Sequence, residues 1–288
     1  LKTDGERTPT PSAQPFVGPW DDDAIADALL DACDGGHQLM PITERVPDFD
    51  VPRAYAVLHE IERRRVARGW RPVGRKIGFT NRTLWPRYGV YQPMWAHTWR
   101  ETVVHAHDGA AMVSLARMAE PRIEPEVVFG LSGPVPITTD AREVLSAVAW
   151  IAPGFEIVQS HFPGWKFKAA DCTAAFGLHA ALVVGTPMPV TEANRIALAD
   201  RLPAFELTLR RDARPVERGI GANVLDSPAL ALVYLARVLA EQPQAAPLAA
   251  GEMVTTGTVT DAWPVAAGEA WSSDYGTLGL PGLRVAFS

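Results

Sequence analysis

Two glutamates separated by one residue interrupt the apolar stretch Pro121-Arg122-Ile123-Glu124-Pro125-Glu126-Val127-Val128-Phe129. Ile, Val, Val and Phe give this stretch the propensity of a short strand. Side chains of a strand alternate between its faces, so Glu124 and Glu126 share one face. Two carboxylates side by side among apolar neighbours repel, and burying them unpaired is costly. A hard divalent cation such as Mg²⁺ or Mn²⁺ would remove the conflict. A solvated edge strand, where Pro125 is also at home, is the alternative, since Glu-x-Glu alone is a weak motif. A third carboxylate, Glu156, stands in another apolar run, Phe155-Glu156-Ile157-Val158. An acid between Phe and Ile needs a partner, which favours the metal.

The elements that must position these groups differ along the chain. Residues 1–20, punctuated by Thr8-Pro9-Thr10-Pro11, Pro15 and Pro19, read as a flexible arm. Asp21-Asp22-Asp23 opens a helix that Gly35-Gly36 ends, and Pro52 opens a second to about Arg68. Residues 21–72 are therefore expected to form a helical N-terminal cap. From residue 73 short apolar runs alternate with Gly and Pro, as in a domain of many short strands. Two helices are expected to interrupt them, at about Asp140–Trp150 and Pro228–Glu241.

Composition narrows the class. With 288 residues, 47% hydrophobic and 21% charged, the chain can hold one large domain plus a small cap. A net charge of −6 argues against a nucleic-acid or anionic-membrane surface. No apolar run approaches a bilayer span and no secretory leader is apparent, which points to the cytoplasm. The two cysteines, Cys33 and Cys172, lack C-x-x-C spacing and read as reduced thiols.

Several residues are candidates for proton transfer or ligand binding. Lys76, one of four lysines among 27 basic residues, lies between two glycines in Gly74-Arg75-Lys76-Ile77-Gly78. It could face the carboxylates as charge partner or proton carrier, or stand on an edge strand. His161 follows Glu156 by five residues and is the second candidate for proton transfer. Asp171 could hold Lys76 or a water, or cap a turn. His179, in an apolar run, is most simply a satisfied core histidine. Thr256-Gly257-Thr258 could hold a substrate carboxylate or form a strand bulge.

The order of these motifs resembles the 2-keto-4-pentenoate hydratase / 4-oxalocrotonate decarboxylase family of the fumarylacetoacetate hydrolase superfamily. The likeness rests on Gly74-Arg75-Lys76-Ile77-Gly78-Phe79-Thr80 with Tyr88-Gly89-Val90, on Pro121-Arg122-Ile123-Glu124-Pro125-Glu126, and on Pro153-Gly154-Phe155-Glu156-Ile157-Val158. Gly221-Ala222-Asn223-Val224-Leu225 and Gly251-Glu252-Met253-Val254-Thr255-Thr256-Gly257-Thr258 extend it over residues 70–288. The resemblance implies an α+β fold: a mixed β-roll of the fumarylacetoacetate hydrolase type over residues 73–288, behind the helical N-terminal segment. It implies Mg²⁺ or Mn²⁺ on Glu124, Glu126 and Glu156, a catalytic Lys76, and a homo-oligomer. Three positions depart from the family's pattern: Gln159-Ser160-His161, Ala170-Asp171-Cys172, and Tyr91 in place of an acid.

The chemistry follows from charge. Three glutamates, a divalent cation and an anionic 2-oxo acid leave the pocket net negative, so Lys76 and an arginine from Arg75, Arg82 or Arg122 are needed. Lys76 would move protons between carbon and oxygen while water adds to an unsaturated 2-oxo acid. The same enolate chemistry without water gives decarboxylation of a 2-oxo dicarboxylate of the 4-oxalocrotonate type. Acylpyruvate-type C–C hydrolysis, with His161 in a His/Glu pair, and a non-catalytic relative are further readings.

Overall fold

A computed structural model describes residues 20–82, 85–88 and 90–288. The expected arm lies outside the described residues except for Trp20. The cap follows the sequence closely. Helix α1 (Asp22–Gly35) starts where the Asp21 carboxylate accepts from Ala24 N and stops at Gly36, which adopts φ 69°. Helix α2 (Val51–Ala67) is capped by Asp50, which accepts from Arg53 N at 2.9 Å, and carries Pro52 in its first turn.

Strands β1 (Pro72–Gly78), β2 (Met94–Trp99), β3 (Val103–His105), β4 (Ala110–Val113) and β5 (Arg122–Leu131) follow, with a short helix α3 (Trp85–Tyr88) after β1. The first expected long helix is one turn only, α4 (Ala141–Val144), then a 3-10 turn over Leu145–Ala147. Val148 already belongs to β6 (Val148–Val158), where it pairs with Leu131 of β5. Its β-branched and aromatic continuation, Val148-Ala149-Trp150-Ile151, is claimed by the sheet. Helix α5 (Ala169–Ala174), β7 (His179–Val184), β8 (Met188–Pro189) and α6 (Glu192–Arg201) come next. Helices α5 and α6 were not expected from the sequence. The chain closes with β9 (Glu206–Arg211), β10 (Arg214–Ile220), α7 (Pro228–Ala240), β11 (Met253–Thr255), β12 (Trp263–Pro264), β13 (Ala270–Asp274) and β14 (Leu283–Phe287).

The strands form two mixed sheets. The larger runs β2-β1-β11-β5-β6-β7-β3, with β12 on β5 and β8 on β6; the smaller runs β10-β9-β13-β14-β4. Strand β5 is central and not an edge. Ile123, Val127 and Phe129 point into the main core with Phe155 and Ile157 of β6. Glu124, Glu126 and Glu156 therefore occupy the other face, where Val128, Ala152, Leu182 and Val184 form a small apolar cluster.

Pro125 is accommodated in this central strand by a gap in the ladder. β11 pairs with β5 as far as Val128, and β12 resumes at Ile123. The Pro125 carbonyl accepts from Val259 N at 3.0 Å in the connection between them. The missing proline N–H falls on that same unladdered side.

The stretch Gly221–Ala240 is long and apolar enough by composition to cross a membrane, but 61% of its most apolar 18-residue window is buried inside the protein. It folds as a turn and α7, whose Leu232, Val233 and Leu235 lie in the main core. The cap is not a separate lobe. Ile25, Leu29, Val57 and Ile61 of α1 and α2 share one apolar cluster with Val158, Phe162, Cys172 and Phe176.

Candidate metal centre

Register brings the three glutamates together. Glu124 of β5 is directly opposite Glu156 of β6, and Glu126 is opposite Gly154. One carboxylate oxygen from each of Glu124, Glu126 and Glu156 lies within 4.8 Å of the others. Glu126 and Glu156 are fully buried.

The strands around them supply the counter-charges and donors. Lys76 stands on β1, opposite Thr255 of β11. Its Nζ donates to Gly177 O at 2.9 Å and lies 3.2 Å from Glu156 Oε2. The latter contact is an ion pair without hydrogen-bond alignment. Glu156 Oε2 and Glu126 Oε1 are thus buried oxygens with no hydrogen-bond partner among the described residues. The other oxygen of Glu126 accepts from Gly257 N at 2.7 Å and from the Thr255 hydroxyl. The other oxygen of Glu156 is 2.8 Å from His179 Nδ1. Each buried acid is clamped on one oxygen, while the other faces Lys76 in Glu156 and lacks a hydrogen-bond partner among the described residues in Glu126.

The protonation pattern follows from burial and crowding. Burial raises the Glu124 carboxyl to about 7, Lys76 opposes this and Glu156 reinforces it. Burial, then Glu156 and Glu124, hold Glu126 well above the usual carboxylate range. Burial also acts to raise Glu156, but Lys76 and His179 outweigh it, so Glu156 stays below its ordinary value. For Lys76 burial disfavours the cation, yet the three glutamates override it and raise its pKa. The cluster thus retains protons that a divalent cation would displace. Oxygen-only donors, two orphaned buried oxygens and excess negative charge fit a hard divalent cation.

A cavity of about 300 Å³ adjoins the cluster and is lined by Lys76, Glu124, Arg122, Gly257 and Thr258 among others. Its apolar wall includes Met94, Val158, Phe167, Cys172 and Leu178. Of the three candidate arginines, Arg122 is the one at this cavity, its guanidinium 4.1 Å from the Trp165 ring centroid. Arg75 pairs with Glu252 and Arg82 with Asp226. Phe79, at the cavity wall, holds φ 56°, an uncommon backbone state for a bulky residue.

The other sequence candidates lie elsewhere. His161 and Asp171 are both buried and neither lines this cavity. Asp171 accepts from Thr43 N at 2.9 Å, Thr43 Oγ1 at 2.7 Å and Lys168 N at 2.9 Å. It caps the start of α5 and ties the cap to it, the turn-capping alternative. Neither ring nitrogen of His161 has a hydrogen-bond partner among the described residues, and its ring centroid is 5.9 Å from that of Phe176. Burial pushes its pKa down to about 4, with Arg65 and His37 adding to the effect.

Two residues set aside in the sequence are at the site. Cys172 lines the cavity as a neutral thiol, which burial pushes up to about 12. His179 is satisfied, as expected of a core histidine, but its partner is Glu156. Their 23-residue separation has no local signal.

A mixed sheet curled around three clustered carboxylates, two of them fully buried, and a buried lysine defines a class of α+β fold with a candidate metal centre. The family model "Fumarylacetoacetate (FAA) hydrolase C-terminal" matches residues 85–282, and the chain belongs to the fumarylacetoacetate hydrolase family. A 2-hydroxyhexa-2,4-dienoate hydratase of Comamonas testosteroni is 31% identical over 243 residues, 84% of this chain and 88% of that protein. A 4-oxalocrotonate decarboxylase of Pseudomonas sp. (strain CF600) is 30% identical over 247 residues, 85% and 89% of the two chains. Among solved structures, 4-oxalocrotonate decarboxylase from Pseudomonas putida G7, complexed with magnesium and adipate, matches with a TM-score of 0.83. It is 27% identical, and the match covers 93% of this chain and 97% of that one.

Proposed function

We propose that the protein is a Mg²⁺- or Mn²⁺-dependent hydratase that adds water to an unsaturated 2-oxo acid of the 2-hydroxypenta-2,4-dienoate type, in aromatic catabolism. The observation that carries the reading is the trio Glu124, Glu126 and Glu156 with Lys76 Nζ 3.2 Å from Glu156, beside a cavity that also holds Arg122. The similarity to hydratases over more than four-fifths of the chain supports it.

Glu124, Glu126 and Glu156 would hold the cation, which supplies Lewis acidity toward enolate oxygens. Arg122 is placed to pair with the substrate carboxylate, and the apolar wall takes the hydrocarbon end. Lys76 is the proton carrier: its ammonium gives a proton to the substrate carbon and recovers one as water adds across the double bond.

Decarboxylation of a 4-oxalocrotonate-type dicarboxylate is the second reading. It is favoured by the adipate-bound neighbour and by Arg122, which could receive a second carboxylate. The two free thiols Cys33 and Cys172 fit a cytoplasmic enzyme, and the family resemblance points to a homo-oligomer, which sedimentation of the purified protein would test.

Ultraviolet turnover of 2-hydroxypenta-2,4-dienoate with Mn²⁺, beside a chelator control and beside 4-oxalocrotonate, tests the assignment. Metal-dependent loss of the dienol with a hydrated 2-oxo acid as product is the expected result. Release of CO₂ from 4-oxalocrotonate without hydration of the dienol would replace it with the decarboxylase.

A further inference from the structure

We infer that His179 and Thr102 form a buried relay of hydrogen bonds that positions Glu156 for the cation, making His179 a positioning residue of the metal centre. The inference rests on the reading of Glu124, Glu126 and Glu156 as the metal ligands.

The geometry is a chain through the sheet. Thr102, in the 3-10 turn between β2 and β3, places Oγ1 2.8 Å from His179 Nε2. His179 Nδ1 lies 2.8 Å from Glu156 Oε1, and Glu156 Oε2 faces Lys76. His179 and Glu156 are buried, so neither can exchange these partners for water.

The acceptor orients the ring. Ionised Glu156 can only accept, so His179 Nδ1 carries a proton and donates it to Oε1. At the other end Thr102 Oγ1 accepts from Trp99 N at 3.3 Å, donates to Trp99 O at 3.0 Å and lies 2.8 Å from His179 Nε2. Thr102 thus anchors the Nε2 end of the ring to the turn, and the ring is held with Nδ1–H toward Glu156.

The effect is directional. With Oε1 engaged by His179, the Glu156 carboxylate is fixed in rotation, and Oε2 is left facing Lys76 without a hydrogen-bond partner among the described residues. Glu126 is oriented in the same manner by Gly257 N and Thr255. Glu156 has no such backbone donor among the described residues, and the imidazole takes that part. Outer hydrogen bonds of this kind typically change metal affinity by about 10–100-fold.

Manganese affinity of the full-length, metal-stripped protein, read by electron paramagnetic resonance, tests the relay without reference to turnover. His179→Leu is expected to weaken Mn²⁺ binding by about 10–100-fold, with Thr102→Val weaker by several-fold in the same direction. His179→Asn, which restores a donor near the Nδ1 position, should recover most of the loss; a merely space-filling role would not distinguish Asn from Leu. If His179→Leu does not fold, His179→Asn and Thr102→Val carry the test, and wild-type affinity in Thr102→Val overturns the relay. Wild-type Mn²⁺ affinity in a folded His179→Leu overturns the inference while Glu156→Gln still abolishes binding. Wild-type affinity in Glu124→Gln and Glu156→Gln would instead overturn the metal reading itself, and this inference with it.

Discussion

At the scale of single residues, three buried ionisable groups separate into chemistry and scaffold. Lys76 is held by Gly177 O and by the charge of three acids, and it lines the cavity. Lys76→Ala should lower kcat by about 10²–10⁴-fold at saturating Mn²⁺ if it moves the proton; steady-state rates at wild-type level would remove it from that role. Asp171 receives three donors from Thr43 and Lys168, so Asp171→Ala leaves those donors in the protein interior. Urea unfolding should show a loss of about 1–3 kcal/mol with Mn²⁺ affinity unchanged. His161 has its pKa pushed down to about 4, against an ordinary imidazole value of about 6.5. Between these values the unfolded chain binds the proton and the native state does not. Stability from this group is therefore full at neutral pH and lost as pH falls below about 6.5. The wild type should lose about 2 kcal/mol relative to His161→Phe between pH 7 and pH 5. Equal pH dependence of the two in urea titrations would contradict this.

At the scale of elements, the site depends on two glycines that let backbone approach side chains. Gly257 follows β11 with φ 94°, and a Cβ there would meet Thr80 Oγ1 at 2.0 Å. Its N–H is the donor that clamps Glu126. Gly257→Ala is therefore expected to weaken Mn²⁺ binding by about tenfold and to destabilise the protein by roughly 1–3 kcal/mol, measured by calorimetric titration and by thermal unfolding. Gly177 holds φ 58°, with a would-be Cβ 3.1 Å from Lys76 Cδ. Lys76 can lie flat against the chain there because no side chain intervenes. The gap between β11 and β12 is part of the same design: it admits Gly257 to the face of Glu126 and lets Pro125 stand in a central strand.

At the scale of the whole molecule, the cluster couples metal loading to pH and to folding. The carboxyl of Glu124 is raised to about 7 and that of Glu126 further above its ordinary range. Native metal-free protein binds more protons there than the unfolded chain above about pH 4.5, so this part of its stability is lost as pH rises through 7. Metal-free protein should therefore show a lower Tm at pH 8.5 than at pH 7, and saturating Mn²⁺ should reverse the trend. Manganese at about 100 times its Kd adds about 2.7 kcal/mol. Scanning calorimetry with and without metal checks both; a Tm that does not respond to Mn²⁺ at pH 8.5 would contradict the metal centre.

The division between what sequence and tertiary structure decide follows from the range of the forces. Period-two alternation placed Glu124 and Glu126 on one face, and ordered motifs identified Glu156 and Lys76 as their companions. Local capping chemistry at Asp21, Gly36 and Asp50 marked the ends of α1 and α2. These signals lie within a few residues, or in motif order, and need no knowledge of the fold. The β5–β6 register, which sets Glu124 against Glu156, is a long-range pairing and decided the cluster's geometry. The position of Arg122 at the cavity, with Arg75 and Arg82 paired elsewhere, and the separation of His161 and Asp171 from it depended on tertiary packing. The pairing of His179 with Glu156 belongs to β6 and β7 lying side by side. Only the folded sheet juxtaposes those side chains, because a buried hydrogen bond between distant residues leaves no periodicity in either segment.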